Sequence, residues 1–262
     1  MTAVDAIILG IIQGLTEFLP ISSSGHIELG SALLGVQTKN NLLFSVVVHG
    51  ATCLSTIVVF RKDLGLILKE LLQLKKDATS YTVSLVISAI PVAIIGLTFD
   101  KEIESFFSGE ILLVGFMLLI TGLLLAMTYY APQRSEKVTW GRSLLIGLSQ
   151  AVAILPGISR SGATISTALL LGVDKEKAAR FSFLMVLMPI LGGSALKLSD
   201  FLKNPEMSEG ISQWVLIIGF FAAFFSGLAA CKWMISIVKK GKLIYFAFYC
   251  FIVGSVAILI SL

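Results

Sequence analysis

Two short polar stretches interrupt apolar segments of this chain and carry the side chains best suited to chemistry. The first, residues 13–26, contains the carboxylate of Glu17, three consecutive serines and the imidazole of His26. The second, residues 150–162, lies 137 positions further on and contains Arg160 between two serines. Ionisable groups in apolar segments are costly and usually functional. We therefore interpret the two stretches as two halves of one active site.

Both stretches have residue types that bind anions. Each contains a Ser-x-Ser-Gly sequence where a short helix is expected to begin, with hydroxyls to cap backbone N–H groups and glycine to let a ligand approach. Helix N-termini favour anions, and the guanidinium of Arg160 suits phosphate. The alternative is that the serines only satisfy a kink. The predicted diphosphate-binding residues are Gln13, Ser22, Ser24, Gly25, Ser159, Ser161 and Gly162.

The reactive groups are not duplicated between the stretches. At the offset of 137, Glu17 aligns with Ile154, Ser23 with Arg160, and His26 with Ala163. This division favours catalysis over symmetric transport. His26, three residues beyond Ser23, is expected to activate a hydroxyl or a water and later to protonate the leaving oxygen; the alternative is a structural histidine. His49 lacks such polar neighbours, and we expect it to be structural.

A divalent cation is the predicted cofactor. Gln13 and Glu17 are four residues apart and so share one helix face. One arginine poorly balances a diphosphate, so Glu17, with or without Gln13, is predicted to hold Mg²⁺ or Ca²⁺ that bridges to phosphate oxygens. The alternative is that Glu17 is a protonated residue in helix packing.

The composition is that of an integral membrane protein. The chain is 56% hydrophobic and only 14% charged, whereas soluble chains carry about 25% charged residues. Apolar runs of about 20 residues, with no alternating pattern, indicate membrane-spanning helices. The basic residues lie in loops beside these runs, so the net charge of +4 indicates topology and not nucleic-acid binding.

The apolar pattern predicts an all-α polytopic fold with six transmembrane helices and two re-entrant helical hairpins. The hairpins are predicted at 3–35 and 142–172, where the second piece of each is too short to span a bilayer. The six spans are predicted near 42–60, 80–98, 110–130, 180–198, 213–233 and 243–261.

An internal repeat organises these elements within one membrane domain, residues 1–262. Gly, Gln, Ser and Ser-Gly identities recur without gaps at the offset of 137, from Gly10 and Gly147 to Ser45 and Ser182. Each half, about 1–137 and 138–262, holds one hairpin and three spans. Because three is odd, the halves should have inverted topology.

Loop charge predicts the orientation in the membrane. The loops near 61–76, 134–142, 175–180 and 232–242 are basic and belong in the cytoplasm. The alternate loops face outward and carry Asp100, Glu102, Glu104, Glu110, Asp200, Glu206 and Glu209, against Lys101 and Lys203. Both termini and the reactive first hairpin are therefore expected to face outward, towards the periplasm.

At these residues the sequence resembles the undecaprenyl-diphosphate phosphatases, the bacitracin-resistance membrane phosphatases of bacteria. The matching motifs are Gln13-x-x-x-Glu17, Pro20-x-Ser22-Ser23-Ser24-Gly25-His26 and Pro156-Gly157-x-Ser159-Arg160-Ser161-Gly162. The resemblance covers nearly the whole chain. The sequence departs from many members in carrying Gln13 in place of a second Glu and Ser24 in place of Thr.

The resemblance implies hydrolysis of a long-chain isoprenoid diphosphate, which yields inorganic phosphate and the monophosphate carrier of peptidoglycan synthesis. It also implies that the protein lies in the bacterial inner membrane, in contact with membrane lipids. By motif position Ser23 resembles the proposed nucleophile, His26 the acid/base, Arg160 the phosphate-binding arginine, and Glu17 with Gln13 the acidic pair. Direct attack by water is the alternative to a phosphoserine. A transporter or flippase of the phosphorylated carrier is the competing function, and a homodimer is compatible with the sequence.

Overall fold

The chain folds as a bundle of helices. The computed structural model describes residues 1–36, 41–99, 102–103, 106, 110–132, 134–203 and 212–261. Over these ranges there is no strand, only one isolated bridge between Glu136 and Val173. Five helical stretches are long and apolar enough to cross a membrane, and a bent pair makes a sixth if it is counted as one span. The prediction of an all-helical, multi-pass membrane protein is confirmed.

The described helices lie close to their predicted positions. In chain order they are α1 (Ala3–Phe18), α2 (Ser23–Leu33), α3 (Asn41–Val59), α4 (Arg61–Leu72), α5 (Lys76–Thr98), α6 (Ile111–Met127), α7 (Trp140–Val152), α8 (Arg160–Leu170), α9 (Lys175–Met185), α10 (Leu187–Lys203), α11 (Gln213–Lys239) and α12 (Ile244–Ser261). The broken pairs α1/α2 and α7/α8 lie at the positions of the predicted hairpins, and a 3₁₀ turn, Thr128–Tyr130, extends α6.

Helix α4 occupies a region that sequence analysis treats as a basic loop. It bends by 70° from α3 and buries no residue completely. Leu64 and Ile67 pack against the core, while Leu68 and Leu72 stay exposed. This is the amphipathic pattern of a helix that lies along a membrane surface. Of the predicted outward loop charges, Asp100, Lys101, Glu104, Glu206 and Glu209 lie outside the described residues.

Small residues let the helices of the two polar stretches pack deep in the bundle. Helix α1 packs against α11, where a Cβ at Gly10 would lie 2.7 Å from the carbonyl oxygen of Gly219. Helix α7 packs against α5, where a Cβ at Gly147 would lie 2.5 Å from the carbonyl oxygen of Ser88. Such close backbone approach is typical of helix packing in membranes. It brings both broken helix pairs into the interior.

An aromatic contact joins the first helix pair to α9. The rings of Phe18 and Phe183 meet edge to face with centroids 5.6 Å apart, and both side chains are buried in the largest core cluster. Because each ring follows a polar residue, Glu17 or Ser182, this contact holds those two residues near each other.

Candidate active site

Glu17 is the centre of a buried polar cluster. Its Oε1 lies 2.6 Å from Nη2 of Arg160, and its Oε2 accepts hydrogen bonds from Ser23 Oγ at 2.7 Å and from Gln13 Nε2 at 3.1 Å. Only 8% of the Glu17 side chain and 15% of the Arg160 side chain are exposed. One carboxylate thus joins groups from α1, α2 and α8, and the two stretches meet as predicted.

The two chain breaks have matching hydrogen bonds. Ser22 Oγ accepts from the N–H of Gly25 at 3.3 Å, and Ser159 Oγ accepts from the N–H of Gly162 at 3.1 Å. These bonds confirm the prediction that serines cap both short helices. The next hydroxyls follow the same pattern, since Ser24 and Ser161 each lie 3.3 Å from the preceding cap oxygen.

A hydrogen bond ties the two breaks directly together. Ser161 Oγ donates to the carbonyl of Leu19 at 3.2 Å, across 142 positions of sequence. The starts of α2 and α8 are consequently adjacent, and the partial positive charge of each helix start is available to one anion. Ser22, Ser159 and Ser161 are almost fully buried, whereas Ser23 and Ser24 are half-buried and more accessible to a ligand.

The first break contains a residue with a strained backbone. Ser22 has φ +70°, a conformation that a residue with a Cβ rarely adopts, whereas its counterpart Ser159 has φ −72°. Strained backbone of this kind persists where the surrounding structure fixes it and clusters at functional sites. It sets the direction in which α2 presents Ser23.

Thr121 of α6 holds the second break, and sequence analysis missed it. Its Oγ1 accepts from the N–H of Ser159 at 2.9 Å and donates to the carbonyl of Gly157 at 3.1 Å. Gly157 has φ +94° and lies so close to α6 that a Cβ would be 2.6 Å from the carbonyl of Val114. A threonine in a spanning helix carries no local signal for this role.

Arg160 is oriented by α9. Its Nη1 donates to the carbonyl of Ser182 at 3.3 Å, and Ser182 Oγ lies 2.6 Å from Thr164 Oγ1. Ser182 is the repeat counterpart of Ser45. The two serines belong to the internal repeat, but nothing in the sequence connects them with the site.

The hydrogen-bond partners of His26 differ from those expected for an acid/base beside Ser23. His26 Nδ1 donates to the carbonyl of Ser22 at 2.8 Å, and its Nε2 lies 2.9 Å from the hydroxyl of Tyr249, whose ring stacks on the imidazole. Both ring nitrogens are therefore occupied, and among the described residues no hydrogen bond joins His26 to Ser23.

His49, which is expected to be structural, points towards Glu17. Its Nδ1 donates to the carbonyl of Ser45 at 2.8 Å, and its Nε2 lies 3.8 Å from Glu17 Oε2. The side chain is 30% exposed, so the ring is accessible to a ligand. The only signal in the sequence was a histidine within a span, which is itself unusual.

The cluster has too few ligands to enclose a metal ion by itself, but it can hold one together with the phosphate oxygens of a substrate. In the described part of the chain no three His, Cys, Asp or Glu residues are grouped to hold a metal. Gln13 Oε1, however, is fully buried without a hydrogen-bond partner beside Glu17. One carboxylate and one amide oxygen fit Mg²⁺, which commonly takes one or two protein ligands and completes its shell with water and phosphate oxygens.

Comparisons with known proteins agree across the whole chain. The profile of the family described as "Bacitracin resistance protein BacA" matches residues 6–256. An undecaprenyl-diphosphatase of Christiangramia forsetii is 54% identical over 264 residues, covering 100% of this chain and 99% of the relative. One from Bacteroides fragilis is 51% identical over 98% and 97% of the two chains, and one from Carboxydothermus hydrogenoformans is 41% identical over 97% and 95%.

Proposed function

The chain belongs to the bacitracin resistance protein BacA family, and we propose that it hydrolyses undecaprenyl diphosphate to undecaprenyl phosphate and inorganic phosphate. The reaction would recycle the lipid carrier for cell-wall synthesis and confer resistance to bacitracin. The observation that carries the proposal is the Glu17 cluster, in which a guanidinium, a hydroxyl and two helix starts converge inside an apolar bundle.

The terminal phosphate of the substrate binds at the starts of α2 and α8. Arg160 leaves Glu17 in part and forms charge-assisted hydrogen bonds with the phosphate oxygens, which strengthen as charge develops in the transition state. The isoprenoid tail stays among the helices and the surrounding lipids, because it is as apolar as they are.

Ser23 is the proposed nucleophile. Its Oγ attacks the terminal phosphorus and passes its proton to Glu17, the carboxylate that already accepts its hydrogen bond at 2.7 Å. The bond between phosphorus and the bridging oxygen breaks, undecaprenyl phosphate leaves, and water then hydrolyses the phosphoserine. In the alternative route a water attacks directly and Ser23 only positions the phosphate.

Each histidine has a distinct place in this scheme. His49 Nε2 faces Glu17 and is placed to bind the attacking water or a phosphate oxygen. His26 fixes the start of α2 through Ser22 and Tyr249, and it can act as acid/base on the leaving oxygen only if the hydrogen bond to Tyr249 opens.

Glu17 and Gln13 would hold Mg²⁺ or Ca²⁺ when the substrate is bound. The cation would neutralise charge on the diphosphate oxygens and favour departure of the leaving group. The assignment is supported by the unpartnered Oε1 of Gln13 together with the Glu17 carboxylate beside it, which Gln150, also unpartnered, lacks at the equivalent position of the repeat.

Inverted topology of the two halves is supported by the packing of helices from each half on helices of the other half. Helix α1 of the first half packs on α11 of the second, and its counterpart α7 packs on α5 of the first. Together with the loop charges, this arrangement supports outward-facing termini, an outward-opening first hairpin and a second hairpin that enters from the cytoplasm of a bacterial inner membrane.

Transport of the phosphorylated carrier is the second candidate, because broken helices that meet between two repeats also form the substrate sites of carriers. Phosphate release from undecaprenyl diphosphate by detergent-purified protein separates the two, since a pure carrier does nothing without a sealed compartment. We expect release by the wild type that chelator suppresses, and none by Arg160→Ala or Glu17→Ala. Folded wild-type protein that releases no phosphate would favour the transporter.

A further inference from the structure

A cavity of about 380 Å³ lies among residues that belong to neither polar stretch. Its wall is formed by the end of α6, the segment after it, the start of α9 and the turn between α11 and α12. The loop charges assign this end of the bundle to the cytoplasm. None of the groups around Glu17 lines the cavity, so it is separate from the candidate active site.

Two cations line this cavity, and among the described residues neither forms an ion pair. Arg134 and Lys175 both contribute to its wall, and neither pairs with a carboxylate within 4.0 Å among the described residues. Asp174 also lines the cavity, and its Oδ1 caps α9 by accepting from the N–H groups of Glu176 and Lys177 at 3.0 and 3.1 Å. The wall therefore carries two cations against one carboxylate, and neither cation is held in an ion pair among the described residues.

Two glycines make room for these cations. Gly172, at φ +77°, lies under the Arg134 side chain, where a Cβ would be 3.2 Å from Arg134 Cβ. Gly241, at φ +68°, lies beside Lys175, where a Cβ would be 2.9 Å from its Nζ. Any other residue would be strained at both positions and would crowd a cation.

The backbone around Arg134 is fixed. Glu136 donates its N–H to the carbonyl of Gly172 at 3.1 Å and accepts from the N–H of Asp174 at 3.4 Å. The carboxylate of Glu136 also pairs with Arg142 at 3.4 Å. These bonds attach the segment after α6, which carries Arg134, to the start of α9, which carries Lys175. The backbone positions of the two cations are therefore fixed relative to each other.

The remaining wall is suited to a lipid. Leu169, Val173 and Leu243 give it an apolar part. At its edge Tyr129 and Tyr130 are 75% and 84% exposed at the end of a spanning helix, where tyrosines typically mark the level of the lipid headgroups. Basic pockets between spanning helices at this level bind anionic headgroups.

We propose that this cavity binds the phosphate headgroup of an anionic membrane lipid, with Arg134 and Lys175 as its cationic ligands. The phosphate lies between the two cations, and the acyl chains leave past the tyrosines into the bilayer. A zwitterionic lipid binds more weakly, because its own cation repels the pair.

Native mass spectrometry of the detergent-purified full chain, titrated with phosphatidylglycerol or phosphatidylcholine, tests the site. We expect phosphatidylglycerol to bind at least fivefold more tightly than phosphatidylcholine, and this preference to disappear in R134Q/K175Q. If the double variant folds poorly, R134Q alone is the variant to use, because the Arg134 side chain has no hydrogen bond among the described residues. We expect R134Q to lose part of the preference for phosphatidylglycerol.

The matched control is K62Q/K69Q, which removes two exposed cations from α4 and should keep the preference. Equal losses in the two double variants, or no loss in R134Q/K175Q, would show that the lipid responds only to general surface charge and would overturn the site. Displacement of the lipid by millimolar inorganic phosphate would make free phosphate the ligand and would overturn the assignment to a lipid.

Discussion

Glu17 and Arg160, 143 positions apart in sequence, form a buried ion pair in which Oε1 and Nη2 are 2.6 Å apart. Glu17 belongs to the first broken helix pair and Arg160 to the second, so this ion pair forms only when the two helix pairs are folded against each other. Breaking a buried pair by removing one partner leaves a costly uncompensated charge. The same contact thus contributes to stability and holds the guanidinium ready for an anion.

Arg160→Ala is expected to remove nearly all activity. Loss of one donor to a developing oxyanion typically lowers kcat by about 10²–10³-fold, and the unpaired Glu17 costs about 3–5 kcal/mol of stability. Phosphate release and thermal melting in detergent measure the two effects. Glu17→Gln/Arg160→Ala should melt near the wild type yet stay inactive; recovered activity in that double variant would exclude Arg160 from catalysis.

Ser23→Ala should remove phosphate release, whereas Ser24→Ala should keep most of it. Ser23 donates to Glu17 at 2.7 Å, while among the described residues the hydroxyl of Ser24 has a hydrogen bond only with the cap oxygen of Ser22. Rapid quenching with substrate labelled at the terminal phosphate should trap label on Ser23 of the wild type. If a substrate-saturated sample carries no label, direct attack by water is the better mechanism.

His49→Ala should reduce kcat/KM by about tenfold to a hundredfold, the effect of losing a hydrogen bond worth about 1.5–3 kcal/mol to a charged group. Its Nε2 lies 3.8 Å from Glu17 Oε2, which is too far for a hydrogen bond, so the bond lost is the proposed one to a phosphate oxygen or the attacking water. Tyr249→Phe is the companion variant, because it removes only the partner of His26. If His49→Ala has the kinetics of the wild type, His49 does not bind a reacting group and its role is structural.

Gln13 and Gln150 form a matched pair for testing the cation. Gln13→Glu adds a second carboxylate beside Glu17 and should lower the Mg²⁺ concentration needed for half-maximal phosphate release, while Gln13→Ala should raise it. Gln150→Ala, at the equivalent buried position of the other half, should leave that concentration unchanged. Identical cation dependence in all three variants would contradict a site at Gln13.

Thr121→Val should destabilise the protein by about 1–3 kcal/mol, because the buried N–H of Ser159 and carbonyl of Gly157 each lose a partner. Thermal melting in detergent measures this loss. Thr128→Val removes a hydroxyl bonded only to Leu125 in the preceding turn and should have a smaller effect. Similar melting temperatures for the two variants would mean that Thr121 does not hold the second break.

The sequence alone determined the elements and the polar groups that they carry. Apolar runs of spanning length, broken twice by Ser-x-Ser-Gly, placed most helices within a few residues, because hydrocarbon requires each span to satisfy its own backbone hydrogen bonds. The repeat also identified the two breaks as partners. Helix α4 was missed because its charges obscured an apolar stripe.

Only the tertiary structure decided which side chains meet. Spacing fixes which residues share a helix face, but it does not fix how far one helix slides or rotates against another. That packing directs His26 to Tyr249, brings His49 to Glu17, and places Thr121 at the second break. These contacts join residues far apart in sequence and depend on small residues such as Gly10 and Gly147, which set how closely the helices approach.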